Sequence, residues 1–152
     1  MRTKRRNLEK IYGHLYVPEA GASETKCTYC GWPKDDIDHC PPLIWVYNLG
    51  SDYFKSRGIR FRLIPSCTEC NQALGSERLF TVVERCAYLH QRYRKKYERF
   101  RKVVIWDRRE IEELEGHVRK QVENFSTVLG AIDRRLENIL ALRVNEEDRL
   151  AA

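Results

Sequence analysis

Two cysteine pairs of the same spacing, Cys27-Thr-Tyr-Cys30 and Cys67-Thr-Glu-Cys70, carry the clearest chemistry in this 152-residue chain. Each pair can turn two thiolates towards one ion, and four thiolates complete tetrahedral zinc with no position left open for water. Such a metal is structural, and its apparent binding energy, on the order of 10 kcal/mol, becomes folding energy. The pairs stand 36 residues apart, well beyond the roughly 15–20 of a simple zinc ribbon. The loop between them must therefore house something else. The even count of six cysteines would also allow disulfides, but in a reducing compartment the paired spacing favours a metal. Cys40 and Cys86 are expected as small buried residues.

Inside the loop lies Asp35-Asp-Ile-Asp38-His39-Cys-Pro41-Pro42, and Asn71 directly follows the last cysteine. An imidazole that is neutral near pH 7 can take a proton from water. A carboxylate and an amide oxygen are hard ligands suited to a divalent cation. Phosphodiester hydrolysis needs little more from a protein than an activated water and a cation on the phosphate. As a lone dipeptide Asp38-His39 is commonplace. Its placement between the hooks, with Asn71 beyond them, gives it weight.

The constellation Cys27-x-x-Cys30-Gly31, Asp38-His39 with Pro41-Pro42, and Cys67-x-x-Cys70-Asn71 with Gly75 resembles the His-Me finger nucleases, the HNH or ββα-metal superfamily. It is most similar to the zinc-stapled form typified by phage endonuclease VII. The resemblance covers roughly residues 25–80. It implies that His39 is the general base and that Asp38 and Asn71 hold one magnesium or similar ion. It also implies that the Cys27/Cys30/Cys67/Cys70 zinc only braces the finger. Many relatives carry a further histidine on the finger helix as a metal ligand, and no histidine occurs between Asn71 and Phe80. Glu77 is either a substitute ligand or a solvated or capping residue.

Several elements must position these residues. Asp35 to His39 reads as a short strand ended by Pro41-Pro42, since proline cannot donate to a ladder. Residues 43–58 are rich in aromatics and broken by Gly50 and Gly58, which predicts a short helix or wrapped loop. Ile59 to Pro65 alternates apolar and basic residues, the period of a half-buried strand with Arg60 and Arg62 on its wet face. A helix is expected over about Glu77 to Lys102. Asp107 and Glu110 form a capping-box pattern, with Trp106 and Ile111 as its staple. Beyond it Val118, Val122, Phe125, Leu129, Ile132, Leu136 and Ile139 recur as a heptad seam, which packs either on its own domain or on a second copy. Asn124 is a candidate break in that seam.

Charge divides the chain. Residues 1–106 hold 20 Lys and Arg against 11 Asp and Glu, whereas residues 107–152 hold 8 against 11. The basic part suits an anionic partner, above all nucleic acid. The helix with Arg92, Lys95, Lys96 and Arg99 mixes basic residues with Tyr88, Tyr93, Tyr97 and Phe100, which fits a nucleic-acid track. An ordinary amphipathic helix with snorkelling side chains has the same composition. Residues 1–24 read as a basic arm that either lies along phosphates or is disordered. His14 has no partner in sequence and no assigned role.

The expectation is an α+β protein in three parts. A basic arm spans residues 1–24, a zinc-braced finger with a basic helix spans 25–102, and a helical arm spans 103–152. The expected function is a metal-dependent DNA endonuclease that uses zinc structurally and magnesium catalytically. Its DNA contacts would come from Arg60, Arg62, Arg92, Lys95, Lys96 and Arg99, and its C-terminal helices would pair two copies. The alternative is a non-catalytic zinc module that binds nucleic acid or a protein. With no secretory signal and no apolar run of about 18 residues, the chain is expected to be cytoplasmic, a phage-encoded origin included.

Overall fold

The computed structural model describes residues 2–102 and 106–151, and the side chains of all of these except 2–6 and 101. It is a mixed α+β chain. At its centre β2 (Asp36–Cys40) runs antiparallel to β3 (Arg62–Ser66), with Asp38 opposite Ile64 and His39 opposite Leu63. A two-residue β1 (Val17–Pro18) pairs parallel to β3, giving the order β1-β3-β2. The expected strand therefore ends at the prolines, as proline chemistry requires. The long loop after it holds α2 (Leu43–Leu49) and α3 (Ser51–Lys55), separated by Gly50 at a positive φ.

Both faces of the small sheet are covered, and this departs from the half-buried strand expected of residues 59–65. One face carries Cys40 and Ile64 into a core with Leu74, Val82, Cys86, Leu89 and Tyr93. The other packs Phe61 and Leu63 against Leu8, Tyr16, Leu43, Val46, Phe54 and Phe80. Alternation in a sandwiched strand sorts side chains between two cores, not between core and water. Arg62 accordingly has no wet face. It is mostly buried and gripped by Glu19 on one side and Glu146 on the other, with Nη1 2.6 Å from Glu146 Oε2. Arg60 is exposed, as expected.

The N-terminal arm is a helix, not a tail. It forms α1 (Arg2–Tyr12), which sets Leu8 into the second core and packs on α2. An amphipathic stretch can fold when an apolar neighbour accepts one face, and a local reading of the basic residues missed Leu8 as that anchor.

After β3, α4 (Thr68–Leu74) starts at the second cysteine hook and stops at Gly75, whose φ is +50°. The next helix, α5, begins five residues later than expected. It spans Val82–Arg101 and is opened by a capping box in which Thr81 and Glu84 satisfy each other's backbone amides. The capping box at Asp107 and Glu110 is present and starts the short α6 (Arg108–Glu112). Residues 103–105, between α5 and that capping box, lie outside the described residues. A single 36-residue helix, α7 (Gly116–Ala151), follows without a break at Asn124.

The heptad seam has two fates. Leu129, Ile132, Leu136 and Ile139 are buried, the last three in a core with Leu89, Tyr93 and Tyr97 of α5. Val118, by contrast, is 54% exposed. The C-terminal half of the seam is thus satisfied within the chain, and residues 129–146 do not form a separate arm. No described helix is long and apolar enough to cross a membrane. Because Ile139 is wholly buried, Ile139→Ala is expected to cost about 2–5 kcal/mol of unfolding free energy, from lost transfer and a residual cavity. Val118→Ala should stay within about 0.5 kcal/mol, as for other surface changes. Urea denaturation of the two variants beside the wild type measures both.

Candidate metal centre

The two hooks are built by backbone geometry that each sequence makes locally. In the first, Cys27 N donates to Trp32 O at 2.7 Å and Gly31 N donates to Cys27 O at 2.9 Å. Gly31 sits at φ +74°, a conformation a side chain would strain. In the second, Cys67 is the N-cap of α4, and its sulfur accepts from Cys70 N at 3.4 Å. The antiparallel pair of β2 and β3 carries the hooks together. Thr28 N donates to Pro65 O at 2.8 Å, and Asp35 N to Ser66 O at 3.2 Å.

All four sulfurs lie within 4.8 Å of one another, and Cys30 Sγ stands 3.7 Å from Cys67 Sγ. Tetrahedral zinc with bonds of about 2.3 Å needs sulfurs about 3.8 Å apart. The four cysteines are thus positioned to hold a metal ion, and their chemistry fits zinc. All four are buried. Among the described residues they form the one cluster of three or more His, Cys, Asp or Glu side chains close enough to share an ion. The two surplus cysteines are buried as expected, and burial pushes the thiols of Cys40 and Cys86 up to about 12, so both stay neutral.

Asp38, His39 and Asn71 do not share one space. Adjacent residues of a strand point to opposite faces, and here each face is a different core. Asp38, 4% exposed, accepts from Tyr29 Oη at 2.6 Å and forms a buried ion pair with Arg85 of α5. The same guanidinium donates from Nη2 to His39 O at 3.0 Å and from Nε to Leu79 O at 3.2 Å. Burial, then the nearby Asp38 charge, hold the Tyr29 phenol well above its ordinary range, so it stays a donor to that carboxylate. The His39 ring lies on the other face. It meets Tyr16 edge-on with centroids 4.9 Å apart, and its Nε2 is 3.8 Å from Glu9 Oε1. Asn71 reaches neither of them. Its amide donates to Asp36 Oδ2 at 2.6 Å and tilts towards Ile37 O at 3.4 Å. As placed, the Asp38 carboxylate that would draw a magnesium ion is neutralised by Arg85.

The basic residues fall into two groups. Arg62 is clamped internally, and Lys96 pairs with Glu69 at 2.6 Å. Arg60, Arg92, Lys95 and Arg99 are exposed, and among the described residues none has a carboxylate within ion-pair reach. The expected interleaving with aromatics resolves by helix face. Tyr93 and Tyr97 point into the core, whereas Arg92, Arg94, Lys95 and Arg99 point outwards.

Residues that local reading left out do much of the holding. Arg85 and Tyr29 fix Asp38, and Arg135 and Asn138 of α7 reach the cysteine hooks. A hint of Arg135 exists in its place beside the seam residues Ile132 and Leu136, but nothing in the sequence names its partners. Comparison with known proteins gives no match, whether against protein-family profiles, curated proteins or solved structures.

The buried pair supplies a direct test of the role of Asp38. Asp38→Ala strands the Arg85 charge in the core, a loss that costs about 3–5 kcal/mol in comparable buried pairs. Urea unfolding should show that drop with no change in the number of metal ions bound per chain.

Proposed function

We propose that Cys27, Cys30, Cys67 and Cys70 hold one structural zinc ion and that the fold so braced binds nucleic acid along α5. The observation that carries this reading is the outer face of α5. Arg92, Arg94, Lys95 and Arg99 stand exposed there without carboxylate partners among the described residues, while Tyr93 and Tyr97 of the same helix are buried. Unpaired cations on a rigid rod suit a phosphate backbone, since counterion release drives such binding without sequence readout. Lys102 is less available, because Glu98 holds it at 2.7 Å. Arg60 is a second exposed cation that fits the same partner.

Fluorescence anisotropy with a labelled duplex across a salt series tests this. The triple variant Arg92→Ala, Lys95→Ala, Arg99→Ala is expected to bind more weakly and to lower the slope of log K against log salt by about 3, near one unit per lost phosphate contact. Equal affinity and equal slope would remove α5 as the binding face.

One observation favours a second reading, a metal-dependent endonuclease. The order β2, β3, α4 puts Asp38-His39 on a strand and Asn71 on the helix of a cysteine-braced ββα unit, in the arrangement of the HNH or ββα-metal resemblance. In that reading His39 is the base and Asp38 and Asn71 are the cation ligands. The Asp38–Arg85 pair and the Asn71–Asp36 bond count against it. Supercoiled plasmid incubated with magnesium decides between the two. The first reading expects no nicking that His39→Ala abolishes, and a loss of nicking in that variant would establish the second.

A further inference from the structure

We infer that docking of α7 is conditional on the metal, with Arg135 and Asn138 locking the helix onto the loaded cysteine centre. The inference rests on the reading of Cys27, Cys30, Cys67 and Cys70 as a zinc site. Its observations come from a part of the chain that contributes no cysteine.

Arg135 is fully buried near the middle of α7. Its guanidinium is stacked between two rings, 4.2 Å from the Trp32 centroid and 3.8 Å from that of Tyr93. Nη1 donates to Glu69 Oε2 at 2.6 Å and to Tyr97 Oη at 2.8 Å, while Nη2 points at Cys70 Sγ from 3.6 Å. Tyr93 Oη also donates to Cys70 Sγ, at 3.4 Å. Three residues on, Asn138 Nδ2 donates to Cys30 O at 3.1 Å. One helix therefore grips both hooks, the second through Arg135 and the first through Asn138. Gly31 makes room for the grip, since a Cβ there would run into the Asn138 amide.

Two consequences follow from elementary chemistry. The grip needs the hooks at one fixed separation, and the shared ion is what fixes it. Four thiolates around a divalent ion also leave a centre of about −2, which supplies a buried guanidinium with countercharge. Among the described residues Glu69 is the one carboxylate that Arg135 touches, and Lys96 shares it. Without the ion, neither the hook separation nor the larger part of the countercharge is set, and residues 129–146 lose their seat.

The test compares the full chain with Arg135→Met, Asn138→Ala and a control, Arg134→Met, which removes the same charge from an exposed neighbour on the helix. Zinc affinity is measured by chelator competition, and amide hydrogen exchange is followed with and without zinc. Zinc is expected to slow exchange of residues 129–146 at least about tenfold in the wild type. Arg135→Met should weaken zinc about 10–100-fold, the usual effect of removing an outer partner of a metal site. It should also abolish the zinc-dependent protection. Asn138→Ala should do the same to a lesser degree, and it serves alone if Arg135→Met does not fold. Arg134→Met should do neither. If zinc binds but exchange in 129–146 is the same with and without it, the lock is overturned and the zinc site stands. If the wild type takes up no zinc, both fall.

Discussion

The fold depends on the meeting of two cysteine hooks that lie 36 residues apart in the chain. Their four buried sulfurs lie within 4.8 Å of one another, positioned to hold a metal ion, and the binding energy of such an ion becomes folding energy. The β2–β3 ladder supplies the register that brings them there, because Thr28 and Asp35 bond to the end of β3 beside Cys67. Everything in the intervening loop, including α2 and α3, is accommodated by that closure. Loop-closure entropy grows only slowly with length, so a metal clip at these hooks would tolerate such a long insertion.

Three buried or mostly buried arginines then tie distant pieces together. Arg62 links β3 to Glu19 and to Glu146 of α7, Arg85 links α5 to Asp38 of β2, and Arg135 links α7 to Glu69 of α4. Each guanidinium is planar and offers several fixed donors, so it accepts few alternative partners. Removing one partner leaves a buried charge uncompensated, which makes these ties costly to break. They set which surfaces meet, while apolar burial by Leu89, Tyr93, Ile132 and Ile139 supplies the driving force.

That arrangement bears on what the molecule can do. The carboxylate that would draw a cation to the hairpin is committed to Arg85, and the imidazole beside it faces another core. The outer face of α5 is exposed, while its inner face is occupied by α7 and the cysteine cluster. Under the proposed reading, a basic helix held from behind would meet nucleic acid with its geometry already formed, so little ordering entropy would oppose binding.

The cysteine hooks, the strand ending at Pro41-Pro42, the capping box at Asp107 and the apolar seam of α7 were all determined by sequence alone. Each depends on chemistry confined to a few neighbouring residues or to one helical period. The strand expected over 59–65 formed as β3 but without its wet face, and residues 2–12 folded as a packed helix, for one common reason. Local patterns record which residues are apolar, but not how many faces of an element will be covered. Tertiary structure alone decided that Arg62 is clamped, that Leu8 anchors α1, and that the C-terminal half of the seam closes on α5. It also decided that Asp38 and His39 part company. Strand alternation separates them by geometry, and only the partners brought from elsewhere, Arg85 on one face and Tyr16 on the other, determine what each side chain is left free to do.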